Sequence, residues 1–439
     1  MTGNNNTPGP GVSRRRFLAG LGVGGLGVAA AGAGGTAAVA GLTLASCASS
    51  DGADGADRTV PFRADHQAGI TTAQQDHLHI VAFDVITSDR GELRRLLTDW
   101  TQMAERMTRG LEATDGGALS GTSESTAADD PSGLTVPSDT GEAVGLDAAN
   151  LTVTVGFGPS LFDGRFGLAG RRPDELQPLP KFPGDQLVDD LCDGDVVVQA
   201  CADDPQVAVH AVRNLTRAGS GVVEVRWSQL GYGRASKTTV DEETPRNLFG
   251  FKDGTRNILA GETDDLDRHV WCSGDSGWMA GGSYMCVRRI RMLLEVWDRQ
   301  ILDDQQHTFA RYKGSGAPLG TDDEFADVPF DLYLGTGGPA IPHDSHVYLA
   351  HPDNNDGARM LRRAYNFIEG SDSFGHLSAG LFFIAYVATP SVDFVPVQMA
   401  LSHNDKMNEY VRYESKAIFA CPPGLGDGTT DWGTALFGS

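Results

Sequence analysis

Two kinds of residue are scarce in this sequence: cysteine and the basic residues. Only six of its 439 residues are cysteine, and no two of them have the CxxC spacing of a structural zinc site. Lysine and arginine together number 35, against 58 aspartate and glutamate residues, so the formal net charge is −23. Because so acidic a surface repels nucleic acid and anionic lipid, we expect no nucleic acid partner. Solubility alone would also account for the acidity.

The six cysteines do not all form intramolecular pairs if the first of them belongs to an export signal. Cys47 falls at the end of such a signal, as described below. The other five are Cys192, Cys201, Cys272, Cys286 and Cys421. Since five is an odd number, at least one thiol stays unpaired in a monomer. Cys192 and Cys201 flank the strand-like segment DVVVQA, and we expect free, buried thiols there.

The first 47 residues have the features of an export signal. The segment SRRRFL (13–18) fits a twin-arginine signal, and an uncharged run rich in glycine and alanine follows it up to Ser46. This run is long enough to span a membrane, but its many glycines favour a signal peptide over a permanent transmembrane helix. Because the twin-arginine route exports folded proteins, often with a cofactor inside, we expect a cofactor that is loaded in the cytoplasm.

The end of the signal allows two kinds of processing. The residues LASC (44–47) resemble a bacterial lipobox, and a lipid on Cys47 would tether the mature protein to the outer face of the membrane. The alternative is ordinary cleavage, for example after the residues AVA (38–40). Residues 48–62 then form a flexible tether, and the protein is extracytoplasmic in either case.

Strand and helix patterns recur in two halves of the mature chain. In the first half, strands are predicted at 77–85, 151–158, 195–202 and 222–233, and helices at 92–111 and 204–219. An acidic stretch rich in Ser and Thr (112–138) is predicted to be a solvated loop. In the second half, strands are predicted at 283–296 and 381–388, and helices at 301–313 and 395–413, with a further segment, HVYLAH, beginning at His346.

This order predicts an α+β protein made of two ferredoxin-like domains. In each domain an antiparallel sheet is covered by helices on one face. The domains are predicted at 63–235 and 246–439, because the stretch between them is polar and contains Pro245. No sequence identity between the halves is visible, so a duplication is a hypothesis only.

Three segments of the second half carry residues suited to chemistry: GFKDG (250–254), DSHVYLAHP (344–352) and RMLRRAYNF (359–367). An Asp-Gly pair alone predicts only a turn. With these segments, however, the chain resembles the dye-decolorizing peroxidase family, and most closely its exported branch linked to iron uptake. Further landmarks of the resemblance are HQAGI (66–70), DTGEAVGL (139–146), LTVTVGFGPSLFD (151–163), GDVVVQACADDP (194–205), NLFGFKDGTRN (247–257), WMAGGSYMCVRRIRMLLEVWDR (278–299) and GAPLG (316–320).

The resemblance implies a fold of the dimeric α+β barrel type, with one haem b per chain bound by the C-terminal domain. It implies that His346 ligates the haem iron and that Asp253 is the acid–base group on the distal side. Arg362 corresponds to the distal arginine, which also contacts the haem, and Phe383 to an aromatic residue on the distal side. Gly254, like Gly250, fits a backbone that passes close to a flat macrocycle.

These residue types suit the cleavage of hydrogen peroxide. The peroxide loses a proton from the oxygen that binds iron and gains one on the oxygen that leaves, and a single carboxylate such as Asp253 can do both. The guanidinium of Arg362 stays charged and can stabilise the departing oxygen. The resemblance therefore implies a haem peroxidase that works through a ferryl intermediate and oxidises dyes, phenols or other donors. The alternative is a haem-binding component of iron acquisition, which oxidises ferrous iron or releases haem iron beside an iron permease. A non-enzymatic binding protein is disfavoured, because the catalytic set is intact.

Several residues near these motifs leave alternatives open. His351 is a rival to His346 as the axial ligand, and Arg363 is a rival to Arg362. A haem-ligating imidazole usually donates its other nitrogen to a carboxylate, and Asp393 is a candidate for that partner. Position 364, two residues after the distal arginine, is alanine where relatives carry glycine or asparagine, which can alter hydrogen bonding on the distal side.

The remaining expectations concern electron donors and partners. Large donors that cannot reach a buried haem can be oxidised through aromatic side chains, although core packing is the commoner role of such residues. The candidates are Trp271, Trp278, Trp297 and Tyr365. We expect hydrogen peroxide and an organic or ferrous-iron donor as substrates, with an acidic pH optimum. An iron-uptake membrane protein and a second copy of this chain are candidate partners.

Overall fold

The computed structural model describes residues 58–120, 136–333, 335, 338–426 and 429–438. The predicted signal with its lipobox and most of the predicted tether lie outside these residues, as does the centre of the acidic loop 112–138. Within the described residues, no helix is both long enough and apolar enough to cross a membrane.

The first half of the described chain is a four-stranded antiparallel sheet with two helices. Its elements are β1 (His77–Val85), α1 (Arg90–Met107), β2 (Thr152–Phe157), β3 (Val196–Ala202), α2 (Pro205–Ala218) and β4 (Val223–Arg234). Asp89 and Asp204 cap the two helices, since each side chain accepts a hydrogen bond from a backbone N–H of the first turn. The strand order β4-β1-β3-β2 is that of a ferredoxin-like fold, as predicted.

The second half repeats this arrangement with two interrupted strands. Its elements are α3 (Thr263–His269), β5 (Ser283–Met292), α4 (Leu294–Trp297), α5 (Leu302–Phe309), α6 (His346–Ala350), β6 (Leu361–Arg362), β7 (Tyr365–Ser371), β8 (Leu377–Val387), α7 (Pro390–Asp393), α8 (Val395–Asn404), β9 (Val411–Tyr413), β10 (Ala417–Cys421) and α9 (Trp432–Phe437). β6 and β7 pair with one edge of β8, and β9 and β10 pair with one edge of β5. Since β5 pairs with β8, the order is again that of a ferredoxin-like sheet.

The two sheets join into one closed ring of strands. Ala420 of β10 pairs with Phe157 of β2, and β4 pairs with β7. Both outer edges of the first sheet are therefore hydrogen-bonded to the second sheet. Successive side chains of a strand therefore point either into the ring or outward, toward the helices. On β8, Phe382 and Ile384 belong to the buried cluster inside the ring, whereas Phe383 packs against clusters on the outer, helix-bearing face.

Some element boundaries differ from those predicted. The helix predicted at 395–413 ends at Asn404, because the side chain of Asp405 accepts a hydrogen bond from the backbone N–H of Met407 and starts a short 3-10 turn. The strand predicted at 283–296 ends at Met292. The strands β6, β7, β9 and β10 were not predicted: β10 is buried throughout and shows no alternation, and β6 and β9 are only two and three residues long.

The five cysteines of the described chain are all buried, and none of them forms a disulfide. This agrees with the free, buried thiols predicted at Cys192 and Cys201. Burial raises the pKa of the thiols at Cys201 and Cys272, to about 12 in the case of Cys272, so these side chains act as small apolar groups rather than as nucleophiles.

Candidate active site

Asp253 lies between two tight turns, one closed by Gly250 N–H donating to the carbonyl of Asn247 and the next by Asn257 N–H donating to that of Gly254. The backbone N–H of Asp253 donates to the carbonyl of Pro245 at 2.9 Å, and glycines with left-handed backbone conformations stand on either side, at φ 82° for Gly250 and 101° for Gly254. A Cβ on Gly254 would lie 2.6 Å from the backbone nitrogen of Lys237, so only glycine fits there. Protein atoms alone therefore require glycine at position 254, and the predicted closeness of this backbone to a macrocycle stays a prediction.

The carboxylate of Asp253 receives two side-chain hydrogen bonds. Arg362 Nη1 donates to one oxygen at 3.1 Å, and Asn247 Nδ2 donates to the other at 3.1 Å. The ion pair is only partly buried, with side-chain exposures of 17% for the aspartate and 25% for the arginine. The structure thus brings Asp253 and Arg362 together across 109 residues of sequence, and it adds Asn247, which the sequence analysis did not single out.

Arg362 and Arg363 lie on opposite faces of the sheet. The backbone of Arg362 exchanges hydrogen bonds with the side-chain amide of Asn257, at 2.7 and 2.8 Å, which ties β6 to the end of the Asp253 loop. Arg363 is fully buried inside the ring and donates to the carbonyl of Thr72 and to the amide oxygen of Gln75. Because alternate strand residues face opposite ways, only Arg362 can reach Asp253.

His346 begins the short helix α6 and is bonded to a buried carboxylate. Ser345 caps the helix, and the imidazole Nδ1 lies 2.7 Å from Oδ2 of Asp405, whose side chain is fully buried. Burial alone would lower the pKa of His346, but Asp405 outweighs it and holds the pKa above its ordinary value. With Nδ1 occupied as a donor, Nε2 is the nitrogen that can ligate a metal.

Asp253 and Arg362 also act electrostatically on His346. The carboxylate raises the pKa of the imidazole and the guanidinium lowers it. Arg362 lies on the sheet, Asp253 on a loop and His346 on a helix that packs against α8, and the three groups are close enough for their charges to interact.

The predicted partner of His346 was wrong. Asp393 accepts instead from the imidazole of His269, at 2.8 Å, and from the backbone N–H of Arg359. The correct partner, Asp405, follows the last residue of α8. The sequence signal that could have found it is its position as the N-cap of the next turn, where a short acidic side chain is favoured.

The rival histidine has a weaker setting. Nδ1 of His351 accepts from the backbone N–H of Asp353 at 3.2 Å, and the nearest carboxylate, that of Asp353, is 3.6 Å away and largely exposed. Burial lowers the pKa of His351. Of the two candidates, only His346 has a buried carboxylate on its second nitrogen, which favours it as the axial ligand.

The surfaces beside His346 are apolar and incompletely covered. None of the five residues of α6 is fully buried, although α6 packs against α8. Leu349 and Met360 pack against one small buried cluster, and Met360 and Phe383 pack against the main core cluster while staying partly exposed. An apolar lining, one free imidazole nitrogen and a carboxylate–guanidinium pair fit a haem, whose macrocycle is apolar and whose iron needs one protein ligand. In the described part of the chain, no group of three or more His, Cys, Asp or Glu side chains could hold a bare metal ion.

The aromatic candidates differ in their connection to this site. Trp271 stacks on His66 with 3.8 Å between ring centroids, and Trp278 donates its indole N–H to the carbonyl of Arg171. Tyr365 is buried inside the ring of strands. Trp297 is buried in an aromatic cluster in which its ring centroid lies 5.7 Å from that of Phe309.

The cluster around Trp297 reaches the axial-ligand candidate. The ring centroid of Phe309 is 6.1 Å from that of His346, and Trp297 also contacts Tyr410 at 5.0 Å. Of the four candidates, Trp297 is thus the one that a chain of ring contacts connects to the site. Ala364 lies on the same face of the sheet as Arg362 and packs in the cluster that contains Trp297.

A closed ring of two ferredoxin-like sheets, with one carboxylate-bonded histidine facing an aspartate–arginine pair beside apolar surface, defines the class of this protein as a haem peroxidase. Family comparison makes the assignment specific. The profile "Dyp-type peroxidase, N-terminal" matches residues 67–233, and the profile "Dyp-type peroxidase, C-terminal" matches residues 244–426. The chain belongs to the Dyp-type peroxidase family.

Individual relatives agree with this assignment. The chain is 38% identical to a deferrochelatase of Escherichia coli (strain K12) over 383 residues, which is 86% of each protein. It is 37% identical to a deferrochelatase of Yersinia pseudotuberculosis over 424 residues, covering 94% of this chain and 92% of that one. Ferric DtpA from Streptomyces lividans has a similar structure, with a TM-score of 0.77 and 37% identity over 87% of this chain and 97% of its own. The protein is therefore a haem-dependent peroxidase of the α+β class, as the sequence predicted.

Proposed function

We propose that this peroxidase activates hydrogen peroxide with Asp253 as its acid–base group and Arg362 as its charge-stabilising group, on a haem held by His346. The observation that carries the proposal is the 3.1 Å contact between Asp253 and Arg362, two groups whose charges also act on the imidazole of His346. The haem supplies, when bound, the iron at which the O–O bond of the peroxide is cleaved and the capacity to store two oxidising equivalents.

His346 holds the iron through Nε2, and Asp405 controls the basicity of that nitrogen. The Nδ1–H donates to a buried, fully desolvated carboxylate, which increases electron density on the imidazole and fixes the orientation of the ring. With haem bound, this electron donation by His346 would favour heterolytic cleavage of the peroxide.

Asp253 moves one proton twice. In its ionised form it takes the proton that the peroxide loses on the oxygen nearer the iron, and it then delivers that proton to the departing oxygen. Arg362 keeps its charge at every working pH and stabilises the negative charge that develops on the departing oxygen. Asn247 holds the second carboxylate oxygen, at 3.1 Å, so the side chain does not rotate away between the two steps.

The test is the rate at which haem absorbance changes after the holoenzyme is mixed with hydrogen peroxide in a stopped-flow instrument. We expect D253A and R362A each to slow this change by about a hundredfold or more, the usual scale of lost general acid–base catalysis. D99N is a matched control, because Asp99 is exposed on α1, in the other half of the chain. Unchanged rates in both site variants would refute the proposed roles.

We further propose that the protein is exported by the twin-arginine route and is extracytoplasmic, with a lipid on Cys47. Support comes from the segments SRRRFL (13–18) and LASC (44–47). Replacing the consecutive arginines of SRRRFL (14–16) with lysines should retain the protein in the cytoplasm. If a lipid on Cys47 tethers the protein, C47S should move it from the membrane fraction to the soluble fraction. A fractionation pattern that C47S leaves unchanged would refute the tether.

The second candidate role is iron acquisition, suggested by the name deferrochelatase of the relatives. In that role the protein would remove iron from haem or oxidise ferrous iron, beside an iron-uptake membrane protein. Incubation with excess haem should then release iron and leave fluorescent iron-free porphyrin. Fluorescence that stays at the level of a haem-only control would exclude removal of iron.

Whether the protein is a homo-oligomer is a separate expectation, which light scattering tests directly.

A further inference from the structure

One segment outside the proposed catalytic set lies across both sides of the site. We call residues 311–333 the cover segment. Its Arg311 donates from Nη1 to the carbonyls of Gly316, at 2.5 Å, and Glu324, at 3.0 Å, which folds the segment back on itself. Phe330 packs edge-on against Tyr348 of α6, with 5.4 Å between ring centroids. The cover segment thus contacts the helix that begins with His346.

The same segment holds the Asp253 loop through Glu324. The carboxylate of Glu324 is 10% exposed and forms an ion pair with Lys252 Nζ. It also accepts from the hydroxyl of Thr255 at 3.0 Å. Lys252 precedes Asp253 directly and Thr255 follows it by two residues, so a single carboxylate binds the loop on both sides of the proposed acid–base group.

The aliphatic stem of Lys252 is also held. Gly316 of the cover segment has φ 80°, and a Cβ at that position would lie 2.7 Å from Cδ of Lys252. The stem therefore packs against bare backbone while the ammonium reaches Glu324. Burial alone would raise the pKa of Glu324, but the hydrogen bonds from Lys252 and Thr255 outweigh it and hold the pKa below its ordinary value. Glu324 is thus ionised at working pH.

We propose that Glu324 is a positioning residue that fixes the Asp253 loop for proton transfer. The inference rests on the proposed role of Asp253. The loop contains two glycines with left-handed conformations, which leave its backbone more freedom than other residues would, and the contacts of Glu324 with Lys252 and Thr255 restrict that freedom. A carboxylate that transfers a proton must be held within a fraction of an ångström of its working position, since a displacement of about 1 Å can slow a reaction about a hundredfold.

The charges around Asp253 provide a test of the proposal, because removing a positive or a negative charge should shift the pH–rate profile in opposite directions. The charged or titratable groups on the elements around the Asp253 loop are Arg362 and His346 across the site, Arg246, Lys252 and Arg256 beside or on the loop, and Lys313 and Glu324 on the cover segment, with Arg256 paired to Asp327. Arg311 lies behind them and is close enough to Arg362 for the two charges to repel. Because Lys252 and Glu324 neutralise each other, removing either one leaves a single unpaired charge beside the Asp253 loop.

These unpaired charges act in opposite directions on a reaction that needs ionised Asp253. In E324Q the unpaired ammonium of Lys252 favours the ionised carboxylate, so the acid limb of the pH–rate profile moves to lower pH. In K252M the unpaired Glu324 disfavours it, so the limb moves to higher pH. We expect each shift to be about half a pH unit, the scale for one charge roughly 10 Å away in a partly solvated site. The double variant K252M/E324Q should return the limb close to that of the parent protein.

The experiment measures three quantities on the holoenzyme of each variant: the rate of reaction with peroxide as a function of pH, the affinity for haem, and hydrogen exchange of peptides covering residues 247–257. We expect E324Q to slow the reaction about tenfold and to speed exchange in these peptides, with haem affinity unchanged. E324D, which keeps the charge, should leave the acid limb in place. E295Q is the matched control, because Glu295 accepts a hydrogen bond from the backbone N–H of Leu377, the first residue of β8, rather than from the Asp253 loop.

The outcomes separate the two proposals. If D253A reacts with peroxide as fast as the parent protein, the proposed role of Asp253 fails and the clamp loses its purpose. If D253A is slow while E324Q matches E295Q in rate, acid limb and hydrogen exchange, only the role of Glu324 is overturned. Shifts of the acid limb in the same direction for E324Q and K252M also overturn it, because a general loss of structure would produce that result. Should E324Q fold poorly, T255V removes one arm of the clamp and should speed exchange without moving the limb.

Discussion

Asp405 Oδ2 lies 2.7 Å from Nδ1 of His346, and the two residues are 59 positions apart in the sequence. The carboxylate is fully buried, and its other oxygen accepts from the backbone N–H of Met407 at 2.8 Å. The geometry therefore fixes both the tautomer and the direction of the imidazole before any metal is bound.

Replacing this carboxylate should weaken the axial ligand. In D405N the amide cannot take up charge from the imidazole, so we expect haem affinity or peroxide reactivity to fall about 10- to 100-fold, the range found for partners of ligating histidines. The visible spectrum and the reduction potential of the ferric haem report the change directly. D393N is the control, since Asp393 bonds to His269. Equal effects of the two substitutions would contradict the assignment of Asp405.

Substituting each of the two candidate ligands, His346 and His351, should show which of them the haem requires. H346A removes the imidazole with the buried partner, and we expect the purified protein to lose its haem. H351A should keep the haem with an unchanged spectrum, because its nearest carboxylate is 3.6 Å away and largely exposed. The measurement is the haem-to-protein ratio by absorbance. Loss of haem in H351A together with retention in H346A would reverse the assignment.

Much of this architecture could be predicted from the sequence. The apolar, β-rich composition of β1 and the Asp-Pro start of α2 are local signals, and both elements formed within one residue of their predicted limits. The motif around Asp253 likewise pointed to a residue that the structure places beside Arg362. These features depend on neighbours in the sequence, or on a pattern shared with a family.

The rest depends on contacts between distant parts of the chain. Asp405 bonds to His346 because α8 ends where α6 begins, and no spacing rule connects the two positions. Glu324 and Lys252 are 72 residues apart in the sequence, and Glu324 lies in the cover segment, which has no regular helix or strand. β10 is a uniformly apolar five-residue run, because it closes the ring between β5 and β2 and is covered on both faces. A uniformly buried strand gives no periodic signal.

The two adjacent arginines should differ in the kind of damage that their loss causes. Arg363 is fully buried and satisfies the carbonyl of Thr72 and the amide of Gln75. R363A leaves those acceptors unpaired inside the ring, so we expect the free energy of unfolding to fall by about 3 kcal/mol or more. R362A should change it by less than about 1 kcal/mol, because that side chain is partly exposed. Denaturant unfolding measures both values, and equal losses would contradict the opposite orientations.

His79 should make the protein less stable in acid. Burial lowers its pKa to about 4, Nε2 contacts the hydroxyl of Ser228 at 3.0 Å, and Nδ1 has no partner. Below about pH 6.5, the ordinary value for histidine, the unfolded chain binds a proton that the folded chain does not, so stability falls until about pH 4 and then levels off.

The test compares urea unfolding at pH 7 and pH 4.5. After a discount for partial exposure, the contribution of His79 to the loss over this interval is about 2 kcal/mol. H79Q removes the titrating group, and it should therefore lose correspondingly less stability than the parent protein between the two pH values. H307Q is the control, because His307 lies on the surface. An identical loss for H79Q and the parent protein would rule out a role for this histidine.

Gly254 should tolerate no side chain, for a reason that can be distinguished from haem contact. Its backbone has φ 101°, and a Cβ would lie 2.6 Å from the nitrogen of Lys237 and 3.0 Å from Cα of Ser236. G254A must therefore displace the loop that carries Asp253, and backbone strain adds about 1–3 kcal/mol. We expect peroxide reactivity and stability to fall together, even when haem is removed before unfolding is measured. G261A is the matched control, because no atom lies within 4 Å of a Cβ at that position. If G254A loses stability only in the haem-bound form, the close neighbour of Gly254 is the cofactor rather than the backbone at residues 236–237.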